Sequence, residues 1–191
     1  KSPSKGMINQ FVDVEKTSIG YMQAGASGLS ILTDTKYFGG KNEDLSKARD
    51  FNFCPILRKD FIVDEYQILE AKSIGADTIL LIAATLTPDQ LKTFGALAQS
   101  LGMEVLLEVH NQEELQNSIC EQIDLLGVNN RDLKTFVTDI EVSKQLAMQI
   151  PDDFVKVSES GISSPETIAE LTDHGFEGFL IGENFMKTSN P

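Results

Sequence analysis

Tryptophan is absent from this chain, and histidine and cysteine occur only twice each. Cys54 and Cys120 stand far apart and match no metal or redox spacing. Reduced thiols in a cytoplasmic protein are therefore expected. His110 and His174 are too few and too separated for a zinc site, and neither metal nor cofactor is expected. Positive charge is scarce: 16 Lys and Arg against 29 Asp and Glu, a net charge of −13. That balance argues against nucleic acid as a partner, because binding its phosphates relies on basic patches. It leaves room for a small phosphorylated ligand, which backbone N–H groups and helix amino termini can hold inside an acidic protein. No apolar run approaches the ~18–20 residues that cross a bilayer, so no membrane partner is expected. Residues 1–12 are mixed polar, without the apolar segment of a signal peptide. Neither Gly-x-Gly-x-x-Gly nor a Walker lysine motif occurs, so a dinucleotide site is not expected.

What is present is an alternation. Apolar, β-branched runs read as strands at Leu29–Leu32, Pro55–Leu57, Thr78–Ile82, Val105–Val109, Leu125–Val128, Val155–Val157 and Phe179–Ile181. Amphipathic stretches read as helices at about 9–24, 43–51, 65–74, 88–100, 112–119, 139–149 and 165–174. Asp64, Thr87 and Ser164 are helix starts, with Pro88 and Pro165 in the first turn of two of them. Gly25, Gly75, Gly102 and Gly175 sit just past helix ends. Strict alternation implies a parallel sheet. Thr78-Ile79-Leu80-Leu81-Ile82 has apolar residues on both alternating sets, as a strand covered on both faces requires. The residues leave open a doubly wound sheet or a closed barrel. Seven strands are visible, and an eighth upstream of Lys1 would complete a (β/α)8 barrel. The expectation is one α/β domain over 1–191, lacking a strand before residue 1 and the end of a last helix that begins near Phe185.

Polar residues recur where the apolar runs end, from Glu108 onward roughly 20–30 residues apart, about one strand-plus-helix unit each. In parallel α/β proteins those strand ends open onto one face, so these residues converge. Lys59 follows Pro55–Leu57 and precedes Phe61-Ile62-Val63, which predicts partial burial; it is either a solvated charge, the usual reading of a lysine, or a general acid or Schiff-base lysine. Glu108 interrupts an apolar strand; it is either a solvent-facing strand end or a proton donor or acceptor paired with Lys59. Glu159 poses the same choice within Ser158-Glu159-Ser160-Gly161, where Gly161 lets backbone N–H groups approach a ligand. Asn129 suits a turn for structural reasons alone, and Arg131 either clamps a carboxylate or pairs with Asp132. Gly161 and Gly182-Glu183 follow the last two strands, whose loops commonly form the phosphate site of barrels. His110 has no evident partner and reads as structural or peripheral. Tyr37-Phe38-Gly39-Gly40 reads as a mobile aromatic loop that stacks on an aromatic substrate, or as a plain turn.

Together these segments resemble the indole-3-glycerol-phosphate synthase family of tryptophan biosynthesis. The matching stretches are Ser2-Pro3-Ser4-Lys5-Gly6; Leu29–Asp34 with Phe38-Gly39-Gly40; and Pro55–Phe61 with Asp64-Glu65-Tyr66-Gln67. Then follow Gly102–Val105 with Glu108-Val109-His110, Asn129–Leu133, Ser158–Ile162 and Leu180–Glu183. No one stretch is distinctive; seven in family order across nearly the whole chain are. The resemblance implies a (β/α)8 TIM barrel. Its activity would be ring closure of 1-(2-carboxyphenylamino)-1-deoxyribulose 5-phosphate with loss of CO2 and water, needing no metal or cofactor. By the family pattern Lys59 is the general acid, Glu108 assists dehydration, and Glu159 and Asn129 orient substrate and stabilise charge. Ser160 and Arg131 support the anthranilate side, and Phe38, Phe61 and Leu80 are apolar walls. Gly161, Gly182, the backbone of Glu183 and Ser2 hold the phosphate. The family's strand-one Glu-x-Lys pair falls before residue 1, so impaired activity and stability are expected of this chain alone. A monomer or a fused pathway enzyme fits the resemblance. The alternatives are another phosphate-binding barrel isomerase, which would place Cys/Asp or Asp/Asp at the strand mouths, and a non-catalytic sugar-phosphate binder.

Overall fold

Helix starts, helix stops and apolar runs repeat in one order along the chain, and the backbone follows them. The structure is a computed structural model that describes every residue except Ser4, Ser189 and Asn190. Ser4, part of the stretch Ser2–Gly6 above, therefore lies outside the described residues. In order, the elements are α1 (Val14–Gln23), β1 (Leu29–Leu32), α2 (Asn42–Phe51), β2 (Ile56–Lys59), α3 (Glu65–Ser73), β3 (Thr78–Ile82), α4 (Pro88–Ser100) and β4 (Glu104–Val109). Then come α5 (Gln112–Ser118), β5 (Leu125–Asn129), α6 (Glu141–Ala147), β6 (Val155–Glu159), α7 (Pro165–Asp173), β7 (Gly178–Leu180) and α8 (Glu183–Met186). The described residues form seven parallel strands in the order β1-β2-β3-β4-β5-β6-β7. Sequential order with parallel pairing is the barrel arrangement; a doubly wound sheet would reverse its order at a switch point. The sheet is a nearly closed barrel with helices alternating around it.

Local chemistry accounts for the boundaries. Asp64 and Thr87 each form a capping box with Gln67 and Gln90, and the Ser164 hydroxyl accepts from Thr167 N–H. Gly25, Gly75, Gly102 and Gly175 all have positive φ, which ends a helix at no steric cost in glycine. Several boundaries differ from expectation. The first helix begins at Val14 instead of near residue 9, because the Asp13 side chain caps it through Lys16 N–H. Strands β2, β5 and β6 run one or two residues past their apolar runs, to Lys59, Asn129 and Glu159. Ladder pairing continues there, with Leu32 opposite Lys59 and Asn129 opposite Glu159. The polar residues thus belong to the strands, whose pleat aims their side chains.

Alternation divides the core in two. Outward-facing Leu29, Ile56, Ile79, Leu81, Val105, Leu107, Leu126 and Val128 pack against helical residues such as Leu45, Ile68, Leu91 and Leu171. Inward-facing Leu57, Leu80, Ile82, Leu106 and Val157 make a smaller cluster inside the barrel, with Phe61, Leu125 and Leu180 against it. One step of the pleat beyond Leu57, Leu106 and Val157 come Lys59, Glu108 and Glu159, on the same inner face. Among the described residues no helix is long and apolar enough to cross a membrane. Leu107 is fully buried on the outer face of the central strand β4. Leu107→Ala should cost about 2–5 kcal/mol of stability, read as a lowered urea midpoint with an unchanged slope. A loss under about 1 kcal/mol would mean the site collapses around the cavity.

Candidate active site

Three strands aim charged side chains at one point inside the barrel mouth. Lys59 Nζ lies 2.7 Å from Glu159 Oε2 and 3.3 Å from Glu108 Oε2. The carboxylates are deeply buried, at 4% side-chain exposure for Glu108 and 2% for Glu159, while Lys59 keeps 26%. Asn129 Nδ2 donates to Glu108 Oε1 at 3.0 Å, and Asn129 Oδ1 accepts from Arg131 N–H. Burial acts to strip the proton from Lys59, but the two carboxylates outweigh it and the ammonium is held above its ordinary range. Burial also acts to raise Glu108, but Lys59, His110 and Asn129 overcome it and leave it well below the usual carboxylate range. Glu159 goes the other way: burial, reinforced by the Glu108 charge, pushes it up to about 7 against the pull of Lys59. Its Oε1 is buried and, among the described residues, has no hydrogen-bond partner. One carboxyl of the pair is therefore firmly ionised and the other shares a proton near neutrality.

Other residues singled out in the sequence gather around this group. Phe38 and Phe61 stack with ring centres 6.0 Å apart, and Tyr37 meets Phe61 edge-on at 5.7 Å. Tyr37 and Phe38 N–H both donate to Asp34 Oδ2. Leu80 belongs to the inner cluster. Arg131 Nη2 donates to Glu183 Oε2 at 3.2 Å, and Lys5 Nζ reaches the other oxygen of Glu183, so Asp132 is not the partner of Arg131. Asp132 instead caps its own loop through Lys134 and Thr135 N–H. Ser2 exchanges main-chain bonds with Gly6 in the turn that carries Lys5, and Gly182 directly precedes Glu183. Ser160 has φ 66°, a left-handed backbone, and Gly161 follows at φ 75°. A side chain at Gly161 would come within 2.6 Å of the Thr138 methyl. Among the described residues no group of three or more His, Cys, Asp or Glu is placed to hold a metal ion. A depression of about 680 Å3 lined by Met7, Phe11, Lys16 and Thr188, among others, lies elsewhere, and none of Lys59, Glu108 and Glu159 lines it.

Sequence reasoning gave no site role to four residues here, His110 among them having been read as structural or peripheral. Ile82 sits opposite Glu108 in the ladder and faces inward, an apolar wall beside the charges. Asn130 is buried beneath the Glu159 loop: its Nδ2 donates to Ser158 Oγ and Ser160 O, and its Oδ1 accepts from Ser143 N–H and Oγ. Gly127 makes room for Glu159, since a Cβ there would overlap Glu159 Oε1. His110 Nε2 lies 3.2 Å from Glu108 Oε1. The i, i+2 spacing of Glu108 and His110 was the available signal, because alternate strand positions share a face.

A sequence model described as indole-3-glycerol phosphate synthase matches residues 1–191. The chain belongs to the indole-3-glycerol phosphate synthase family. The indole-3-glycerol phosphate synthase of Bacteroides thetaiotaomicron is 54% identical over 191 residues, covering 100% of this chain and 73% of that protein. That of Bordetella pertussis is 43% identical over 190 residues, covering 100% of this chain and 72% of its own. Among solved structures, the N-acetylmannosamine-6-phosphate 2-epimerase from Clostridium perfringens superposes with a TM-score of 0.69. It covers 92% of this chain and 82% of its own at 13% identity, a likeness of fold alone.

Two outcomes follow for this synthase-family site. Gly127→Ala should displace Glu159 from Lys59 and lower the urea midpoint by the equivalent of about 1–3 kcal/mol. Gly182→Ala, where a Cβ meets nothing within 4 Å, is the matched control; equal midpoints would show that Glu159 moves freely. The second outcome concerns pH. Glu159 and His110 both have raised folded values, about 7 and about 9. Their stabilisation is present at low pH and lost as pH rises through those values. Glu108 is depressed, so its contribution is present above the ordinary glutamate value and lost on acidification. Stability should therefore peak near about pH 5 and fall by on the order of a few kcal/mol by about pH 9. A midpoint flat or rising from pH 6.5 to 9 would contradict these assignments.

Proposed function

We infer that the chain catalyses the indole-3-glycerol phosphate synthase reaction: ring closure of 1-(2-carboxyphenylamino)-1-deoxyribulose 5-phosphate with loss of CO2 and water, giving indole-3-glycerol phosphate. The observation that carries its chemistry is the Lys59 ammonium held between Glu108 and Glu159 at the carboxyl end of parallel strands. Lys59 delivers its proton to the substrate carbonyl oxygen as the ring closes, where negative charge develops. Two anions hold that proton tightly; a proton on Glu159 removes one of them and makes Lys59 a better donor. Glu108 then serves the dehydration. Asn129 orients Glu108, and Glu159 orients substrate through the oxygen that has no hydrogen-bond partner among the described residues.

Phe38, Phe61 and Leu80 wall the aromatic part of the substrate, an assignment supported by the ring stack and the inner cluster. Arg131 and Ser160 serve the anthranilate carboxylate and its surroundings. Gly161, Gly182, the backbone of Glu183 and Ser2 take the phosphate, at the loops after β6 and β7. The partner is this small phosphorylated aromatic substrate. The protein acts as one domain in the cytoplasm, as a monomer or within a fused pathway enzyme, consistent with its two free thiols. A passive sugar-phosphate binder would have no use for buried charges that cost desolvation.

Turnover is read as the rise of indole fluorescence, against a background free of protein tryptophan. In a protein of the relatives' full length, Lys59→Ala should lower kcat by roughly 100-fold or more, with substrate affinity largely kept. Lys59→Ala turning over at the unmodified rate would remove Lys59 from the chemistry. No turnover by the unmodified protein would remove the synthase reading.

A further inference from the structure

His110 stands on the first residue after β4, between two carboxylates. Its ring Nδ1 lies 3.0 Å from Glu114 Oε2, and its own backbone N–H donates to the same oxygen at 2.8 Å. Glu114 Oε1 accepts from Asn111 Nδ2 at 2.8 Å, and Asn111 in turn caps α5 by accepting from Glu114 N–H. These donors hold Glu114 below the usual carboxylate range despite its burial. An ionised Glu114 only accepts, so Nδ1 carries a hydrogen. The other nitrogen, Nε2, is buried and 3.2 Å from Glu108 Oε1, without a well-aligned hydrogen bond among the described residues. If Nε2 and Oε1 were both unprotonated, two lone pairs would face each other in a dry site. One proton must therefore sit on one atom or the other.

We propose that His110 is a positioning residue that shares one exchangeable proton with Glu108, Nε2 to Oε1, and so loads Glu108 as the acid of the dehydration step. The proposal rests on the reading of Glu108 given above. At rest the proton is on Nε2, and the imidazolium lies between the Glu108 and Glu114 carboxylates. In the step, the Nε2–H bond breaks and the Oε1–H bond forms, leaving a neutral imidazole that keeps its Nδ1–H. Glu108 passes the proton to the departing hydroxyl. The C–O bond breaks with its electron pair on oxygen, and water leaves. The proton that the ring loses as the new double bond forms returns to Nε2 through Glu108 or solvent, so the cycle balances.

The charged groups facing this pair are Lys59 from β2, Glu159 from β6 and Glu114 from α5, with neutral Asn129 from β5. Lys59 remains charged throughout, so a titration between pH 7 and 10 belongs to the His110–Glu108 pair once Glu159 has ionised. Burial acts to lower His110, but the two carboxylates hold it at about 9.

The test needs no turnover at its first stage. Ring nitrogens are followed by 15N NMR through a pH titration; the chain has two histidines, and replacing exposed His174 leaves only the two ring nitrogens of His110. His110 should titrate well above the unperturbed value of about 6.5, and Glu108→Gln should lower its midpoint by roughly a unit or more. A midpoint near 6.5, or one that Glu108→Gln does not move, overturns the proposal. At the second stage, His110→Asn in the full-length protein should lower kcat roughly tenfold with KM little changed, less than removal of a direct acid. It should also abolish the alkaline limb of the kcat profile. A profile that keeps its limb overturns the proposal, because a merely structural histidine would lower activity evenly across pH. If the NMR coupling holds but the unmodified protein does not turn over, the shared proton stands and the synthase reading falls.

Discussion

An ammonium among buried carboxylates is costly to build, because each ion loses its hydration and regains it only through well-placed partners. Lys59, Glu108 and Glu159 meet that condition because three parallel strands present them on one inner face, with Lys59 in reach of both carboxylates. Ladder pairing sets Leu32 opposite Lys59, Ile82 opposite Glu108 and Asn129 opposite Glu159. A one-residue slip in any of these strands would turn its charge outward into the apolar layer beneath the helices. The register of the barrel and the charge balance of the site are thus one constraint.

Much of the remaining polar structure serves to hold that constraint. Asn129 ties Glu108 to the Arg131 backbone, and Asn130 fastens the loop that carries Glu159 and Ser160. Gly127 is small because Glu159 leans across it. The left-handed Ser160 turns the chain sharply just after Glu159, a strained conformation for a side-chain-bearing residue. The two glutamates end with opposite protonation tendencies, although their residue types and strand positions match. Glu108 has Lys59, Asn129 and His110 around it, whereas one oxygen of Glu159 has no hydrogen-bond partner among the described residues. Such divergence of two carboxyls is how one site comes to hold both an acid and a base.

The fold was largely legible from end to end. Caps at Asp64, Thr87 and Ser164 and left-handed glycines at 75, 102 and 175 are local signals, written in a few adjacent residues. The site was legible as a set of candidates, because Lys59, Glu108, Asn129 and Glu159 all stand at or near the ends of apolar runs. Their partnerships were not. Arg131 looked able to pair with Asp132 next door, yet it reaches Glu183, which is 52 residues away. His110 looked partnerless because one partner, Glu108, lies two residues back on β4 and the other, Glu114, lies in the first turn of the next helix.

The sequence by itself determined the alternation of strand and helix, the parallel sheet it implies, and which polar residues would sit at strand ends. Those depend on hydrophobic period and on turn chemistry, both short-range. Only the tertiary structure decided that the sheet curls into a nearly closed barrel, which carboxylate keeps a proton, and that His110 joins the charged group. Those depend on distances between side chains far apart in sequence and on how much water burial removes. Coulomb energies in a dry interior change steeply with both.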